Sequence, residues 1–353
     1  MQFKHEIKFD KHMDYSSERG YGFVRSRELS INEELRDSWP GDYFIPSVPT
    51  FMMDVPNGNY KVILTLGSES KPTVTTVKEG LGRLKLHEVK TLTGNTITKT
   101  FAVNVEDGQL KLAFAGKNPV VQRIEIERVT SISTMFLVGD STVTDQASGK
   151  YPYTGWGQMI GYFLDERIAV SNHARSGKSS KSFIEEGRLT RIEKKIRKGD
   201  YLFIQFAHND QKEDERYTDP FTTYQNYLSK YIAIARAKKA IPVVVTPMHR
   251  RNFNEDGSIN NTHGKYIEAV KQLAKEEEVF IVDLAYQSKK YFEEIGKNLT
   301  KNIFMWAAPG KYKNFPKGIQ DNTHFSEFGA FKIANLVVKG IKESGITLPI
   351  RRC

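Results

Sequence analysis

Residues 201–210 read YLFIQFAHND. A run of aromatic and branched apolar residues, interrupted by Gln205, stops abruptly at Ala207-His208-Asn209-Asp210. A short apolar run that ends in polar residues predicts a buried strand with its mouth at one edge of a sheet. Four other stretches share the pattern: MFLV (135–138), RIAV (167–170), IPVVV (241–245) and VFIVDL (279–284). Helical stretches separate them. One helix is expected from Asp219-Pro220, a favourable N-cap and first-turn pair, with Tyr224, Leu228, Tyr231 and Ala235 on one face. Another follows Ser326 and carries Phe328, Phe331, Ala334, Leu336 and Val338. Strands alternating with helices in this way predict an α/β fold built on a doubly wound parallel sheet.

Upstream the period changes. YKVILTL (60–66), TITKTFAVNV (96–105), QLKLAFAG (109–116) and VQRIEIERV (121–129) alternate every second residue. Turn residues such as Pro56-Asn57-Gly58-Asn59, Gly94-Asn95 and Asp107-Gly108 separate them. An all-β sandwich over residues 1–130 is therefore expected ahead of an α/β domain over residues 131–353.

The 353 residues are 39% hydrophobic and 27% charged, with a formal net charge of +10. Length and composition fit about two folded domains rather than a disordered chain. The positive charge favours a polyanionic partner, either nucleic acid, an acidic polysaccharide or anionic lipid, or else marks a merely basic soluble protein. No nucleic-acid-binding module is recognisable, and no apolar stretch reaches the ~20 residues of a membrane span. MQFKHEIKFD, at the start, is too polar for a signal-peptide core, so the expectation is a cytosolic chain or one without a removed leader. Cys353 is the only cysteine, which excludes an intramolecular disulfide and a CxxC zinc site. Oligomeric state is not readable.

In open α/β sheets the ligand sits outside the carboxyl ends of the strands. Every predicted exit here is small and polar: Gly139-Asp140-Ser141-Thr142, then Ser171 to Gly177, then His208-Asn209-Asp210, then Thr246 to Arg251. Asp321-Asn322-Thr323-His324 stands before the last helix. Ser141 is the candidate nucleophile, expected near the start of a helix whose N–H groups would meet negative charge. His324 is the candidate base, with Asp321 three residues upstream to fix its tautomer. The plainer readings are an ordinary turn at Ser141 and helix capping at Asp321. His208-Asn209-Asp210 can be read as a metal site using His173, His249 or His263, as a base, or as an oxyanion site built on the Asn209 amide. No histidine pair has the spacing of a strong metal motif. The oxyanion reading uses all the exits together and is preferred.

Taken in order, Gly139-Asp140-Ser141, Gly177, Asn209-Asp210 and Asp321-x-x-His324 resemble the four blocks of the SGNH (GDSL-type) hydrolase superfamily. GDSTVTD (139–145), ARSGKSSKSF (174–183), HNDQK (208–212), TPMHRRNF (246–253) and DNTHFSEFGA (321–330) look more closely like rhamnogalacturonan acetylesterases. Members of that group often carry an N-terminal galactose-binding-type sandwich, which suits GYGFV (20–24) and DVPNGNYKVILTLG (54–67). The resemblance implies a flavodoxin-like sheet and a serine esterase without cofactor or metal. It further implies that Ser141, Asp321 and His324 form the triad, and that the N–H groups of Ser141 and Gly177 with the Asn209 side chain form the oxyanion hole. Its substrate would be an acetylated acidic polysaccharide, which places the protein in the periplasm or outside the cell. There is one departure: the third block normally has glycine two residues before the asparagine, and Ala207 stands there.

Rhamnogalacturonan carries a carboxylate on every galacturonate. Arg175, Arg250 and Arg251 beside the exits are candidates to bind it, with His208 as a further contact. Trp306 and Trp156 are candidates to stack on sugar. The competing functions are an esterase of the same superfamily acting on a non-carbohydrate ester, and a carbohydrate-binding protein with an impaired hydrolase half.

Overall fold

The computed structural model describes residues 4–8, 13–24 and 50–351, so Cys353 lies outside the described residues. The N-terminal part holds β1 (Lys4–Lys8), β2 (Tyr21–Val24), β3 (Thr50–Asp54), β4 (Gly58–Gly67), β5 (Thr73–Glu79), β6 (Arg83–Thr91), β7 (Thr96–Val105), β8 (Gln109–Ala115) and β9 (Val121–Arg128). They form two antiparallel sheets, in the orders β1-β9-β4-β7 and β2-β3-β8-β5-β6. Tyr60, Val62, Leu64 and Leu66 project from β4 on one face and meet Phe51, Met53, Leu110 and Leu112 of the facing sheet in one core. That is the sandwich expected from the period-two runs.

The chain then enters β10 (Ser133–Gly139), followed by β11 (Tyr153–Thr154), β12 (Ile168–Asn172), β13 (Tyr201–Gln205), β14 (Ile241–Val245), β15 (Phe280–Val282), β16 (Phe304–Ala307) and β17 (Ile319–Ser326). Five of these make a parallel sheet in the order β12-β10-β13-β14-β15, the flavodoxin-like arrangement. The opening stretch is its central strand. Tyr201 and Phe203 enter one core while Leu202, Ile204 and Phe206 enter the other, so both faces of the strand are covered. One face is covered by α1 (Ser180–Glu185), α2 (Arg188–Glu193), α3 (Gln225–Ala237) and α4 (Tyr266–Glu276). The other is covered by α5 (Leu284–Leu299) and α6 (Glu327–Glu343).

The helix expected at Asp219 is present: the Asp219 side chain accepts the Phe221 N–H, a wide turn follows, and α3 buries Leu228, Tyr231 and Ala235. In α6 the buried stripe is Ala330, Ile333, Ala334, Val337, Val338 and Ile341, whereas Phe328 is exposed. Of the expected apolar residues, Ala334 and Val338 are buried and Phe331 and Leu336 pack against the same core, so only Phe328 turns outward.

The remaining strands form a small antiparallel sheet, β11-β17-β16, which carries Asp321 and His324. The sandwich joins the α/β body through the β5–β6 hairpin. Leu84 of β6 lies in the same core cluster as Leu137 and Trp156. Arg83 donates to the carbonyl of Val170 at 2.7 Å, and Lys78 forms a buried ion pair with Glu327 at the start of α6.

Candidate active site

Ser141 leaves β10 through a turn that the sequence enforces. A Cβ at Gly139 would lie 2.6 Å from the Gln205 carbonyl oxygen and 2.7 Å from Val143 Cγ2, so only glycine fits. Asp140 then closes the turn: its Oδ1 accepts the Thr142 N–H at 2.9 Å and the Thr142 hydroxyl at 2.8 Å. No helix follows Ser141, contrary to the sequence expectation; the β-branched run Thr142-Val143-Thr144 forms a single turn on the Asp140 carbonyl instead. Help for negative charge at Ser141 therefore has to come from individual N–H groups rather than from a helix end.

Asp321 and His324 sit in β17, not in a loop. Phe304 of β16 pairs with Phe325 while the next residue, Met305, pairs with Asp321. Asn322, Thr323 and His324 are thus bulged out of the ladder, a common way to aim a side chain beside an active site. Asp321 Oδ1 accepts the N–H groups of Thr323 at 2.7 Å and His324 at 3.0 Å, which holds the bulge closed. The other carboxylate oxygen lies 2.6 Å from His324 Nδ1, and His324 Nε2 lies 2.8 Å from Ser141 Oγ. Burial pushes the Asp321 pKa up, but the hydrogen bond and charge of His324 and the two N–H donors outweigh it and leave it below the usual value. A carboxylate held ionised against Nδ1 puts the lone pair of Nε2 toward the serine hydroxyl.

The chain also brings Gly177 and Asn209 to this edge. The N–H groups of Ser141 and Gly177 make no hydrogen bond to any described residue. Gly177 has φ +81°, and the Asn209 Nδ2 donates to the Lys178 carbonyl at 3.1 Å, which leaves its second N–H unused. Two groups hold this corner. Asp210 accepts from Ser180 N at 2.9 Å and from Ala207 N at 3.1 Å, tying the Gly177 loop to the Asn209 loop. Gln146 Nε2 donates to the Ser141 carbonyl at 2.8 Å and to Ser176 Oγ at 3.1 Å. Ala207 is fully buried with φ +132°, so an L-residue occupies the backbone conformation that glycine serves in the family pattern.

Other expected residues fare differently. The substrate contact expected at His208 is not available: the ring is 3% exposed, both nitrogens are buried without a partner, and it packs edge-on to His263 at 4.5 Å. Burial keeps it neutral, with its pKa well below the usual histidine value. Arg251, expected to bind carboxylate, is buried and instead donates to the Lys297 carbonyl at 2.7 Å and to Asn322 Oδ1 at 3.3 Å. Trp156 is core, its indole N–H on Gln205 Oε1 at 2.9 Å, so it offers no face to sugar. Arg175 is exposed at its strand exit. Arg250 is braced by Thr262 Oγ1 at 3.0 Å, and no described carboxylate lies within ion-pair distance, although the charges of Asp140 and Asp321 act on it. Trp306 is partly exposed, with its N–H on Asn322 Oδ1 at 2.9 Å and Lys301 Nζ 4.8 Å from its ring. His173 lies apart, bonded to Ser171 and paired with Glu106 of the sandwich. Among the described residues no group of three or more His, Cys, Asp or Glu is placed to hold a metal.

Sequence reasoning missed Tyr153. Its ring meets His324 edge-on at 4.7 Å, and its hydroxyl lies beside those of Ser141 and Ser176. Burial raises the phenol pKa, so the Tyr153 hydroxyl stays protonated at this site.

Residues 135–337 match the family model described as GDSL-like lipase/acylhydrolase. The chain belongs to that family. It is accordingly an esterase, and residues 6–124 match a second model, the galactose-binding-like domain of beta-agarase and YXIM esterases. This GDSL enzyme is 48% identical over 214 residues to rhamnogalacturonan acetylesterase RhgT of Bacillus subtilis (strain 168), a match covering 61% of this chain and 91% of RhgT. A probable rhamnogalacturonan acetylesterase of the same organism, YesY, is 44% identical over 216 residues, covering 61% and 94% respectively. The crystal structure of the YxiM protein of Bacillus subtilis shares the fold, with a TM-score of 0.56 at 24% identity over 98% of this chain and 99% of that one.

Proposed function

We propose that this GDSL esterase is a carbohydrate O-acetylesterase that removes acetyl groups from acidic pectic polysaccharide of the rhamnogalacturonan type, with Ser141, His324 and Asp321 as its catalytic triad. The observation that carries the reading is the pair of contacts at His324, 2.8 Å to Ser141 Oγ on one nitrogen and 2.6 Å to Asp321 on the other. Ser141 Oγ attacks the acetyl carbonyl while His324 Nε2 takes its proton. The oxyanion is met by the N–H groups of Ser141 and Gly177 and by the free N–H of Asn209. Collapse expels the sugar hydroxyl, protonated by His324, and leaves an acetyl-serine. Water, deprotonated by His324, then releases acetate and restores the hydroxyl.

The substrate class rests on the two relatives named as rhamnogalacturonan acetylesterases and on Arg250, a half-buried guanidinium near Asp321 with no carboxylate partner among the described residues. A uronate carboxylate meets a guanidinium through two parallel hydrogen bonds. On this reading residues 131–353 are the catalytic domain, residues 1–130 an accessory domain, and the enzyme works outside the cytoplasm, where its polymer is. The test is acetate release from acetylated rhamnogalacturonan oligosaccharides by wild type and by Ser141→Ala. Equal release by the two proteins removes the mechanism; wild-type hydrolysis of aryl acetates without any release from the oligosaccharides removes the substrate class.

A further inference from the structure

The sheet that carries Asp321 and His324 also carries an open trough. A cavity of about 350 Å³ lies against it, lined among others by Tyr151, Trp306, Lys311, Tyr312 and Phe328. A wider depression of about 700 Å³ adjoins it, lined among others by Lys301, Trp306, Lys317 and Gln320. Trp306, Ala307 and Ile319 line both, so the two are continuous. Both volumes fall within the range of ligand sites, roughly 300–1,000 Å³.

Its position ties it to the triad. Tyr151 and Pro152 line it, and the next residue, Tyr153, packs on the His324 ring. Trp306 holds Asn322, which belongs to the bulge that presents His324.

Its chemistry is that of a cation-studded aromatic wall. Lys301 Nζ rests 4.8 Å from the Trp306 ring and Lys311 Nζ 5.4 Å from the Tyr312 ring. None of Lys301, Lys311 and Lys317 pairs with a carboxylate among the described residues. Three cations along an aromatic wall, close to Ser141 and His324 and unpaired with any described carboxylate, suit an anionic ligand that also has apolar faces.

We propose that this trough binds the main chain of an acidic glycan beyond the sugar being deacetylated. Tyr312 and Trp306 take the apolar faces of pyranose rings, Lys301 moving off its ring as a sugar arrives. Lys301, Lys311 and Lys317 neutralise uronate carboxylates. The inference rests on the acetylesterase reading and extends it from one acetylated residue to the neighbouring residues of the chain.

The variant that tests it is Lys301→Gln/Lys311→Gln/Lys317→Gln, with kcat and KM measured on acetylated rhamnogalacturonan oligosaccharides and on a small aryl acetate. The expected result is a KM for the oligosaccharides raised about 5- to 30-fold, with much weaker salt dependence, while kcat/KM for the aryl acetate stays at the wild-type value. An unchanged oligosaccharide KM overturns the proposal, and so does an equal loss on both substrates. A second measurement separates this idea from the acetylesterase reading: calorimetric binding of deacetylated rhamnogalacturonan oligosaccharides to Ser141→Ala, with and without the three glutamines. If wild type releases no acetate from the polymer yet Ser141→Ala binds the oligosaccharide and loses it with the lysines, the trough stands and the reaction assignment falls. Absence of binding sinks the trough.

Discussion

Ala207 lies fully buried at φ +132°, between the central strand and Asn209. Replacing it by glycine sets three terms against each other. A non-glycine residue in this region of φ carries about 1–3 kcal/mol of strain, which glycine relieves. Glycine adds disorder to the unfolded chain, costing about 0.4–1 kcal/mol. Loss of one buried methyl costs about 0.8 kcal/mol. Central values leave about 0.5 kcal/mol in favour of Ala207→Gly. The same substitution at Ala235, fully buried inside α3, relieves no strain and should cost about 1.8 kcal/mol from helix propensity and the lost methyl. Urea unfolding of the two variants at constant m-value should therefore separate them by about 2 kcal/mol with opposite signs. Equal destabilisation at both sites would show that the Ala207 backbone is not strained and refute the reasoning. Turnover gives an independent check. Asn209 is already anchored on the Lys178 carbonyl, so kcat on an aryl acetate should stay within about twofold of wild type. A large rise would mean instead that the methyl displaces the asparagine.

Three further outcomes are expected. Asn209→Ala should lower kcat about 10²- to 10³-fold with little change in KM, the loss typical of one oxyanion donor, measured by steady-state acetate release. Lys78→Met should destabilise the protein by about 3–5 kcal/mol because it strands Glu327 in a buried site, and Lys78→Met/Glu327→Gln should recover most of that loss in the same unfolding assay. Asp210 has its pKa pushed up to about 7, chiefly by burial against the opposing hydrogen bonds of Ser180, compared with about 3.9 when unfolded. A raised carboxyl pKa means that its contribution is fully present below the unfolded value and is lost as pH rises through the folded one. Stability should therefore fall between about pH 4 and pH 7, and Asp210→Asn should flatten that slope in a pH series of unfolding curves.

The parallel sheet was legible because its strands are covered on both faces and so read as unbroken apolar runs. The sandwich strands β4, β7, β8 and β9 were legible for the opposite reason, one face buried and one wet. Strands β5 and β6 escaped because they satisfy neither rule. Their outward residues Lys78, Glu79 and Lys85 are buried against the α/β body, so charged letters stand where an apolar run would reveal a covered face. The same blindness affected the site. Gly139, Ser141, Gly177 and Asn209 lie at or just beyond strand ends, where the polar residues after each apolar run draw attention to them. Tyr153 has no such run before it. It reaches His324 only because β11 pairs with β17, Tyr153 opposite Ser326, a contact between segments 173 residues apart in sequence. Arg251 read as an exit cation, but the exit folds back on itself and its side chain is consumed in holding Lys297, Asn322 and Trp306.

Those buried charges in β5 and β6 also say what the sandwich does for the catalytic half. Arg83 Nε lies 3.5 Å from Asp145, four residues past Ser141, and the Gln158 side chain donates to both the Leu81 carbonyl and the Gln146 carbonyl. Gln146 in turn holds the Ser141 carbonyl. On the other side of the site, Lys78 meets Glu327, three residues past His324. The hairpin therefore touches the segments beyond the nucleophile and the base, and both contacts are ionic and shielded from water. Burial has already pushed Asp145 up to about 6 with Arg83 in place, so removing that cation would drive it further toward the neutral acid. RhgT is matched over 91% of its length by 214 residues, which leaves no room there for a second domain the size of the sandwich. Here two carboxylates, close in sequence to Ser141 and His324, take their counter-charges from the sandwich, which makes the sandwich a structural support of the proposed active site.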